Sequence, residues 1–170
     1  LILRGVPRPA TPVRCVIGRG NLEPPLVFDA RMNEDGSWVD LFFLQYEVPA
    51  LTPLLETFVT PGSTFVDVGA NIGIYTGWAS RLAGPTGRVI AFEPVPATRA
   101  YLDAAIAENR LHNVTVVPKA LGKGPDTITL WVVPRASGLT SAVPPEDGAA
   151  GLEKVEVPQV ALDDELAKDV

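Results

Sequence analysis

The segment 64–76, which reads TFVDVGANIGIYT, constrains the fold of this chain more than any other feature. An apolar, β-branched run contains Asp67 and leads into a turn with glycines at Gly69 and Gly73, and a helix-like apolar pattern begins at Ile72. A strand that passes through a glycine turn into a helix is typical of the nucleotide-binding corner of an α/β sheet. The segment therefore predicts a mostly parallel α/β sheet with a ligand site at the carboxyl end of this strand.

Strand and helix patterns alternate on either side of that turn. The sequence predicts core strands at 64–68, 88–92 and 114–117, helices at 72–82 and 97–109, and a preceding helix that begins near Val48. Short connections between alternating elements indicate parallel βαβ units. After Gly122 the pattern changes, and 127–133 and 155–160 predict an antiparallel excursion.

The first part of the chain is different in character. Prolines are frequent in residues 1–25, so we predict an extended approach with at most a short strand at 13–17. The runs 26–32 and 37–44 flank the turn sequence NEDG and predict a β-hairpin. The sequence thus divides into an N-terminal extended and hairpin segment, 1–46, and the main domain, 47–170.

An acidic residue follows the second core strand, where a nucleotide site needs one. Glu93 comes 24 positions after Gly69, close to the offset of roughly 20 expected for a carboxylate that binds ribose hydroxyls. Pro94 holds Glu93 in an extended conformation. After the third strand, Ala120 and Leu121 fall at the position where this topology would place an adenine ring. These residues predict a nucleoside-containing cofactor.

The turn itself bears on which cofactor binds. Its spacing is G-x-x-x-G across Gly69, Ala70, Asn71 and Gly73, whereas a dinucleotide fingerprint has a further glycine where Asn71 stands, so NAD and FAD are disfavoured. Asp67, just upstream, would repel a phosphate but suits an amino group or a sulfonium. S-adenosylmethionine carries both. The alternative is a plain strand-to-helix turn in which Asn71 is the helix N-cap.

Composition limits the partners of the chain. A formal net charge of −6 and a pI of 4.8 argue against nucleic acid and anionic membrane surfaces, so we expect a small-molecule partner. One cysteine, Cys15, and one histidine, His112, predict no metal site, and the histidine is interpreted as a polar helix-end residue. The lone cysteine indicates a reducing, cytoplasmic setting. No apolar stretch approaches the roughly 20 residues of a membrane span.

Several motifs in order carry a family resemblance: FVDVGANIG at 65–73, GRVIAFEP at 87–94, NVTV at 113–116 and ALG at 120–122. From about Tyr46 onward the sequence resembles the FkbM-type family of S-adenosylmethionine-dependent methyltransferases. The resemblance implies a Rossmann-like fold and methyl transfer to an oxygen, typically a hydroxyl of a sugar or of another natural-product small molecule. It also implies that Asp67 and the 69–73 turn surround the methionine end of the cofactor and that Glu93 binds its ribose.

The chain departs from that family at its end. Family members continue with a further strand beside 64–68, so we expect the chain to be the N-terminal part of a methyltransferase domain, truncated after the third core strand and the antiparallel excursion. The alternative is that a partner chain completes the sheet. No residue can be named as the base that takes the hydroxyl proton. Two alternatives stay open: a module that binds S-adenosylmethionine without turnover, and an NAD-binding Rossmann protein.

Overall fold

The computed structural model describes residues 13–14, 26–29, 51–133, 137–144 and 151–167. In chain order the elements are β1 (Val13–Arg14), β2 (Val27–Phe28), α1 (Leu51–Phe58), β3 (Thr64–Val68), α2 (Ile74–Ala83), β4 (Arg88–Phe92), α3 (Pro96–Asn109), β5 (Val114–Val117), β6 (Ala120–Leu121), β7 (Asp126–Val132), a 3-10 turn (Ser137–Leu139), β8 (Glu153–Val160) and α4 (Leu162–Leu166). The three core strands have the bounds that the sequence predicts. The two helices between them begin and end within two residues of their predicted positions.

The central sheet is parallel, with the strand order β3-β4-β5. Thr64 is in register with Arg88, and Val89 is in register with Val114. The carboxyl ends of the three strands therefore meet at one edge, as parallel pairing requires. This arrangement confirms the predicted α/β class.

The two faces of β4 pack against different layers because its side chains alternate. Val89 and Ala91 belong to clusters that include buried residues of α2 and α3, such as Trp78 and Leu102. Ile90 and Phe92 belong to a cluster on the other face, which includes residues of α4 and β8. With both faces covered, the strand is an almost continuous apolar run, as buried parallel strands are.

A second sheet follows, with the strand order β6-β8-β7. The antiparallel pairing of β7 with β8 confirms the predicted excursion. The sequence did not predict β6, which pairs in parallel with β8 through Ala120 and Leu121. Two residues are too few to show a periodicity, so only the pairing with β8 makes this segment a strand.

The N-terminal strand β2 is fastened to the end of α3 by the buried Asn109. Its side-chain Oδ1 accepts a hydrogen bond from Val27 N at 2.7 Å, while Nδ2 donates to Val27 O and Ala105 O, both at 2.7 Å. Leu26 and Phe28 on either side are buried in the cluster that contains Trp78. This segment thus shares the core of the main domain.

In the described residues β2 pairs antiparallel with β1. The predicted 33–36 turn and its second strand, 37–44, lie outside the described residues, as does most of the predicted 13–17 strand. The division of the chain at residue 46 stays a prediction.

One edge of the central sheet is open among the described strands, since β3 pairs there with β4 alone. Val68, its last residue, is 62% exposed. Within the described residues, no helix has both the length and the apolar character that crossing a membrane requires.

Candidate functional site

The turn after β3 is held against the end of β4 by backbone hydrogen bonds. Gly69 N and Ala70 N both donate to Phe92 O, at 3.0 and 2.9 Å, and Gly73 N donates to Ala70 O at 2.8 Å. Gly69, Asn71 and Gly73 all have positive φ, at 75°, 53° and 92°. Glycine adopts such angles without strain and asparagine tolerates them, which explains these residue types here.

Gly73 is where α2 begins, and it also lets two helices approach. A Cβ at this position would lie 2.6 Å from Leu102 Cδ1 of α3. The N-cap of α2 is Gly73, and no side chain caps this helix. The alternative interpretation of Asn71 as the helix N-cap is therefore wrong, because the left-handed Asn71 lies too early in the turn.

Glu93 joins the glycine turn to the loop after β4. Its Oε2 accepts a hydrogen bond from Asn71 N and its Oε1 accepts one from Val95 N, both at 2.9 Å. The residue is buried, with 5% of its surface exposed, and Pro94 beside it is half-buried. A carboxylate has about four acceptor sites, so two remain for a ligand after these contacts.

Asp67 lies on the neighbouring strand β3, in register with Ala91, two residues before Glu93. It is buried, and its Oδ2 accepts a hydrogen bond from Thr76 Oγ1 at 2.5 Å. Sequence analysis did not single out Thr76, which is fully buried in the first turns of α2. Its signal in the sequence was a hydroxyl residue in the first turn of a largely apolar helix that directly follows the glycine turn.

Burial raises the pKa of Asp67, and hydrogen bonds from the side chain and backbone of Thr76 offset part of this rise. Burial likewise raises the pKa of Glu93; the backbone N–H groups of Val95 and Asn71 and the charge of Arg99 oppose it, while the charge of Asp67 adds to it. Desolvation disfavours the charged form of both carboxyl groups. A cation bound beside them would favour that form.

We expect Asp67 to make the free energy of unfolding increase as the pH falls through its raised folded pKa toward the ordinary carboxyl range near 4. Because the folded pKa of Asp67 is raised, the folded state binds more protons than the unfolded state within this window. The free energy of unfolding then decreases as the pH rises. The destabilisation from burying charged Asp67 is fully present above its raised pKa. Asp67→Asn removes this contribution, so the urea midpoint of the variant should increase less on acidification than that of the wild type.

The control is Asp103→Asn, at an exposed residue, which should keep the pH dependence of the wild type. Equal pH dependence of the urea midpoint for wild type and Asp67→Asn would contradict the prediction.

Ala120 and Leu121 are half-buried in β6, and each belongs to a hydrophobic cluster that includes a residue flanking the Glu93–Pro94 pair. Ala120 belongs to the cluster of Val95, and Leu121 belongs to the cluster of Phe92. They therefore lie on the side of the sheet that carries α4 and β8. Contact of these two residues with an adenine ring stays a prediction.

One buried polar atom of the turn, Asn71 Oδ1, has no hydrogen-bond partner among the described residues. Buried polar atoms are nearly always paired, so an orphaned one in the glycine turn points to a ligand. The described residues contain no group of three His, Cys, Asp or Glu side chains that could hold a metal ion.

The family of the chain follows from a comparison with known protein families. The model of the methyltransferase FkbM domain matches residues 67–170, which is more than half of the chain and includes Asp67, the glycine turn and Glu93. The chain belongs to the FkbM methyltransferase family. The resemblance predicted from the motifs is thereby confirmed. No curated protein matches the chain.

Solved methyltransferase structures resemble parts of this FkbM-family chain. A protein named as an rRNA methylase from Clostridium thermocellum is 26% identical over 40% of this chain and 37% of that chain, with a TM-score of 0.39. A SAM-dependent methyltransferase from Aquifex aeolicus is 26% identical over 46% of this chain and 43% of that chain, with a TM-score of 0.39. The O-methyltransferase TomG from Streptomyces achromogenes is 11% identical over 78% of this chain and 88% of that chain, with a TM-score of 0.38. The chain spans less than half the length of the first two.

Proposed function

We propose that this FkbM-family chain carries the cofactor site of an S-adenosylmethionine-dependent O-methyltransferase that acts on a hydroxyl group of a sugar or natural-product small molecule. The observation that carries the proposal is that two buried acidic residues, Asp67 and Glu93, lie on either side of the same glycine turn. Glu93 binds the backbone of that turn, and Asp67 is the last residue but one of the strand that enters it. Both acids lie within the segment that matches the family.

The residues of the site fit S-adenosylmethionine. Its sulfonium and amino groups are cationic, and Asp67 is a buried carboxylate whose pKa is raised by burial and lowered only by the neutral hydrogen bonds from Thr76. Glu93 keeps acceptor sites for hydroxyl donors, and Asn71 Oδ1 lacks a partner. At Gly69 an added Cβ would meet nothing within 4 Å, so the turn has open space on that side.

When bound, S-adenosylmethionine supplies a methyl group activated by its sulfonium. The chain's own residues bind and orient the cofactor: Asp67 and the 69–73 turn at the methionine end, and Glu93 with Pro94 at the ribose. Ala120 and Leu121 would form the wall for the adenine. Positioning alone accounts for a large share of the acceleration in such transfers, because an in-line approach replaces a bimolecular encounter.

The hydroxyl acceptor is supported by the family resemblance, and a small acceptor is supported by charge. The formal net charge of −6 disfavours long polyanions such as RNA. A cytoplasmic setting belongs to the same proposal and is supported by the single cysteine, Cys15.

Calorimetry and a transfer assay test the proposal. We expect S-adenosylhomocysteine to bind saturably and NADH not to bind, and we expect methyl transfer from labelled S-adenosylmethionine to members of a panel of sugar and polyketide hydroxyl acceptors. NADH binding without S-adenosylhomocysteine binding would overturn the proposal in favour of an NAD-binding protein. Cofactor binding with no transfer to any acceptor would favour a binding module without turnover.

A further inference from the structure

Thr76, the third residue of α2, forms a hydrogen-bonded link between this helix and β3. Its hydroxyl Oγ1 donates to Oδ2 of Asp67 at 2.5 Å, and both residues are buried. An ionised carboxylate can only accept hydrogen bonds, so the hydroxyl proton of Thr76 is directed at Asp67. The link therefore joins two elements that the glycine turn separates along the chain.

The backbone of Thr76 is a second donor to the same carboxylate. The backbone N–H of Thr76 also makes a hydrogen bond to Asp67. The first N–H groups of a helix have no partner within the helix, and Gly73, the N-cap of α2, has no side chain that could accept from them. Asp67 therefore does for α2 what a capping side chain does for other helices.

This capping role explains the backbone contact but not the hydroxyl of Thr76. Every residue except proline would supply the same backbone N–H at this position. A threonine within a helix commonly directs its hydroxyl to a carbonyl oxygen three or four residues earlier. Here the hydroxyl donates to Asp67 instead. It therefore acts on the carboxylate and is not required for the start of the helix.

The two donors of Thr76 fix the orientation of the Asp67 carboxylate. The last side-chain torsion of an aspartate has only broad preferences, so the planar carboxylate can turn unless its oxygens are held. A carboxylate has about four acceptor sites, and Thr76 occupies two of them. The remaining sites are then held in one orientation for the donors of a ligand.

The same hydrogen bonds favour the charged form of Asp67. Burial raises the pKa of Asp67, and the hydrogen bonds from Thr76 oppose this rise. A second buried carboxyl group, Glu93, interacts electrostatically with Asp67, and the positive charge of Arg99 acts on Glu93. A cationic ligand is attracted to the charged carboxylate and not to the neutral acid. Whatever keeps Asp67 charged thus favours the binding of a cation.

We propose that Thr76 is a positioning residue of the cofactor site, whose hydroxyl keeps the Asp67 carboxylate charged and oriented for the cationic methionine end of S-adenosylmethionine. The inference rests on the proposed function, in which Asp67 contacts that end of the cofactor. Thr76 has 0% of its surface exposed, so it acts through Asp67 without touching the cofactor. Loss of the hydroxyl should therefore affect only ligands that carry the methionine end.

Calorimetry with two ligands tests this inference. S-adenosylmethionine carries the methionine end, whereas 5′-methylthioadenosine has the same adenosine but neither the amino acid group nor the sulfonium. We expect Thr76→Val to bind S-adenosylmethionine about tenfold more weakly than the wild type does, because a hydrogen bond to a charged group is lost. Its affinity for 5′-methylthioadenosine should equal that of the wild type. Thr76→Ser retains the hydroxyl and should recover most of the affinity for S-adenosylmethionine.

The pH dependence of binding is a second readout, which a purely structural role of Thr76 would not change. Without the hydroxyl, the pKa of Asp67 is higher, so the affinity of Thr76→Val for S-adenosylmethionine should begin to fall at a higher pH than that of the wild type. Glu93 and Arg99 are present in both proteins, so this difference reports on the hydroxyl. The control Thr57→Val makes the same substitution at an exposed residue of α1 and should behave as the wild type does.

The outcomes distinguish this inference from the proposed function. Wild-type binding of S-adenosylmethionine that Thr76→Val leaves unchanged would overturn the role of Thr76 alone. Equal weakening of both ligands, or no recovery in Thr76→Ser, would show that position 76 serves the fold and would also overturn this role. No binding of S-adenosylmethionine by the wild type would overturn both the role of Thr76 and the proposed function.

Discussion

Glu93→Ala is expected to weaken the binding of S-adenosylhomocysteine by at least about 100-fold and to lower the free energy of unfolding by about 3 kcal/mol. The binding loss follows from removing the acceptors proposed for the ribose hydroxyls. The stability loss follows from the two backbone N–H groups, of Asn71 and Val95, that the carboxylate satisfies. Leaving a buried donor unpaired costs about 1 to 3 kcal/mol for each group.

A graded series separates these two roles. Glu93→Gln replaces one of the two accepting oxygens with an NH2 group, which cannot accept a hydrogen bond, so its stability should fall between those of wild type and Glu93→Ala. The exposed Glu156 of β8 provides the control Glu156→Ala, which should change neither property. Calorimetry and urea denaturation measure binding and stability. Wild-type affinity in a folded Glu93→Ala protein would show that this carboxylate does not bind the cofactor.

Gly87→Ala is expected to destabilise the fold by about 3 kcal/mol, as overpacking of a tight site does. A Cβ at Gly87 would lie 2.5 Å from Ala83 O, 2.6 Å from Ala83 Cβ and 2.8 Å from Ser63 O. Two of these three atoms belong to the backbone, so no side-chain rotation relieves the clash. Ser63 O also accepts the hydrogen bond of Arg88 N, at 2.9 Å, and moving it would disturb the start of β4.

Gly124→Ala is the matched control for this substitution. An added Cβ at Gly124 meets nothing within 4 Å, and its backbone does not have positive φ. We expect a change within about 0.5 kcal/mol, or a slight stabilisation through the unfolded state. The measurement is the urea midpoint of each variant. Equal midpoints for Gly87→Ala and Gly124→Ala would contradict the close approach at Gly87.

The sequence predicted the local elements of this fold well because local patterns specify them. The β-branched run at Thr64–Val68 ends at a glycine turn, and the run at Arg88–Phe92 ends before Glu93 and Pro94. The alternation of a strand, the conformational freedom of glycine and the restriction by proline each involve only a few neighbouring residues. A single sequence is therefore enough to predict the elements that they define. The same reasoning predicted Asp67, the glycine turn and Glu93 as candidate site residues.

Contacts between distant residues could not be predicted in this way. Glu93 binds the turn 22 positions earlier, and Asn109 binds Val27 across 82 positions. Neither partner carries a local signal for the other, because packing of whole elements brings them together. The same holds for β6, which is a strand only because β8 lies beside it.

The sequence by itself determined the α/β alternation, the FkbM-type motifs and the residue types of the candidate site. Tertiary structure alone decided that Gly73 rather than Asn71 begins α2, that Thr76 holds Asp67, and that Gly87 lies against Ser63. The physical reason is that dihedral preferences act along the chain, whereas close packing and charge act between segments that meet only after folding.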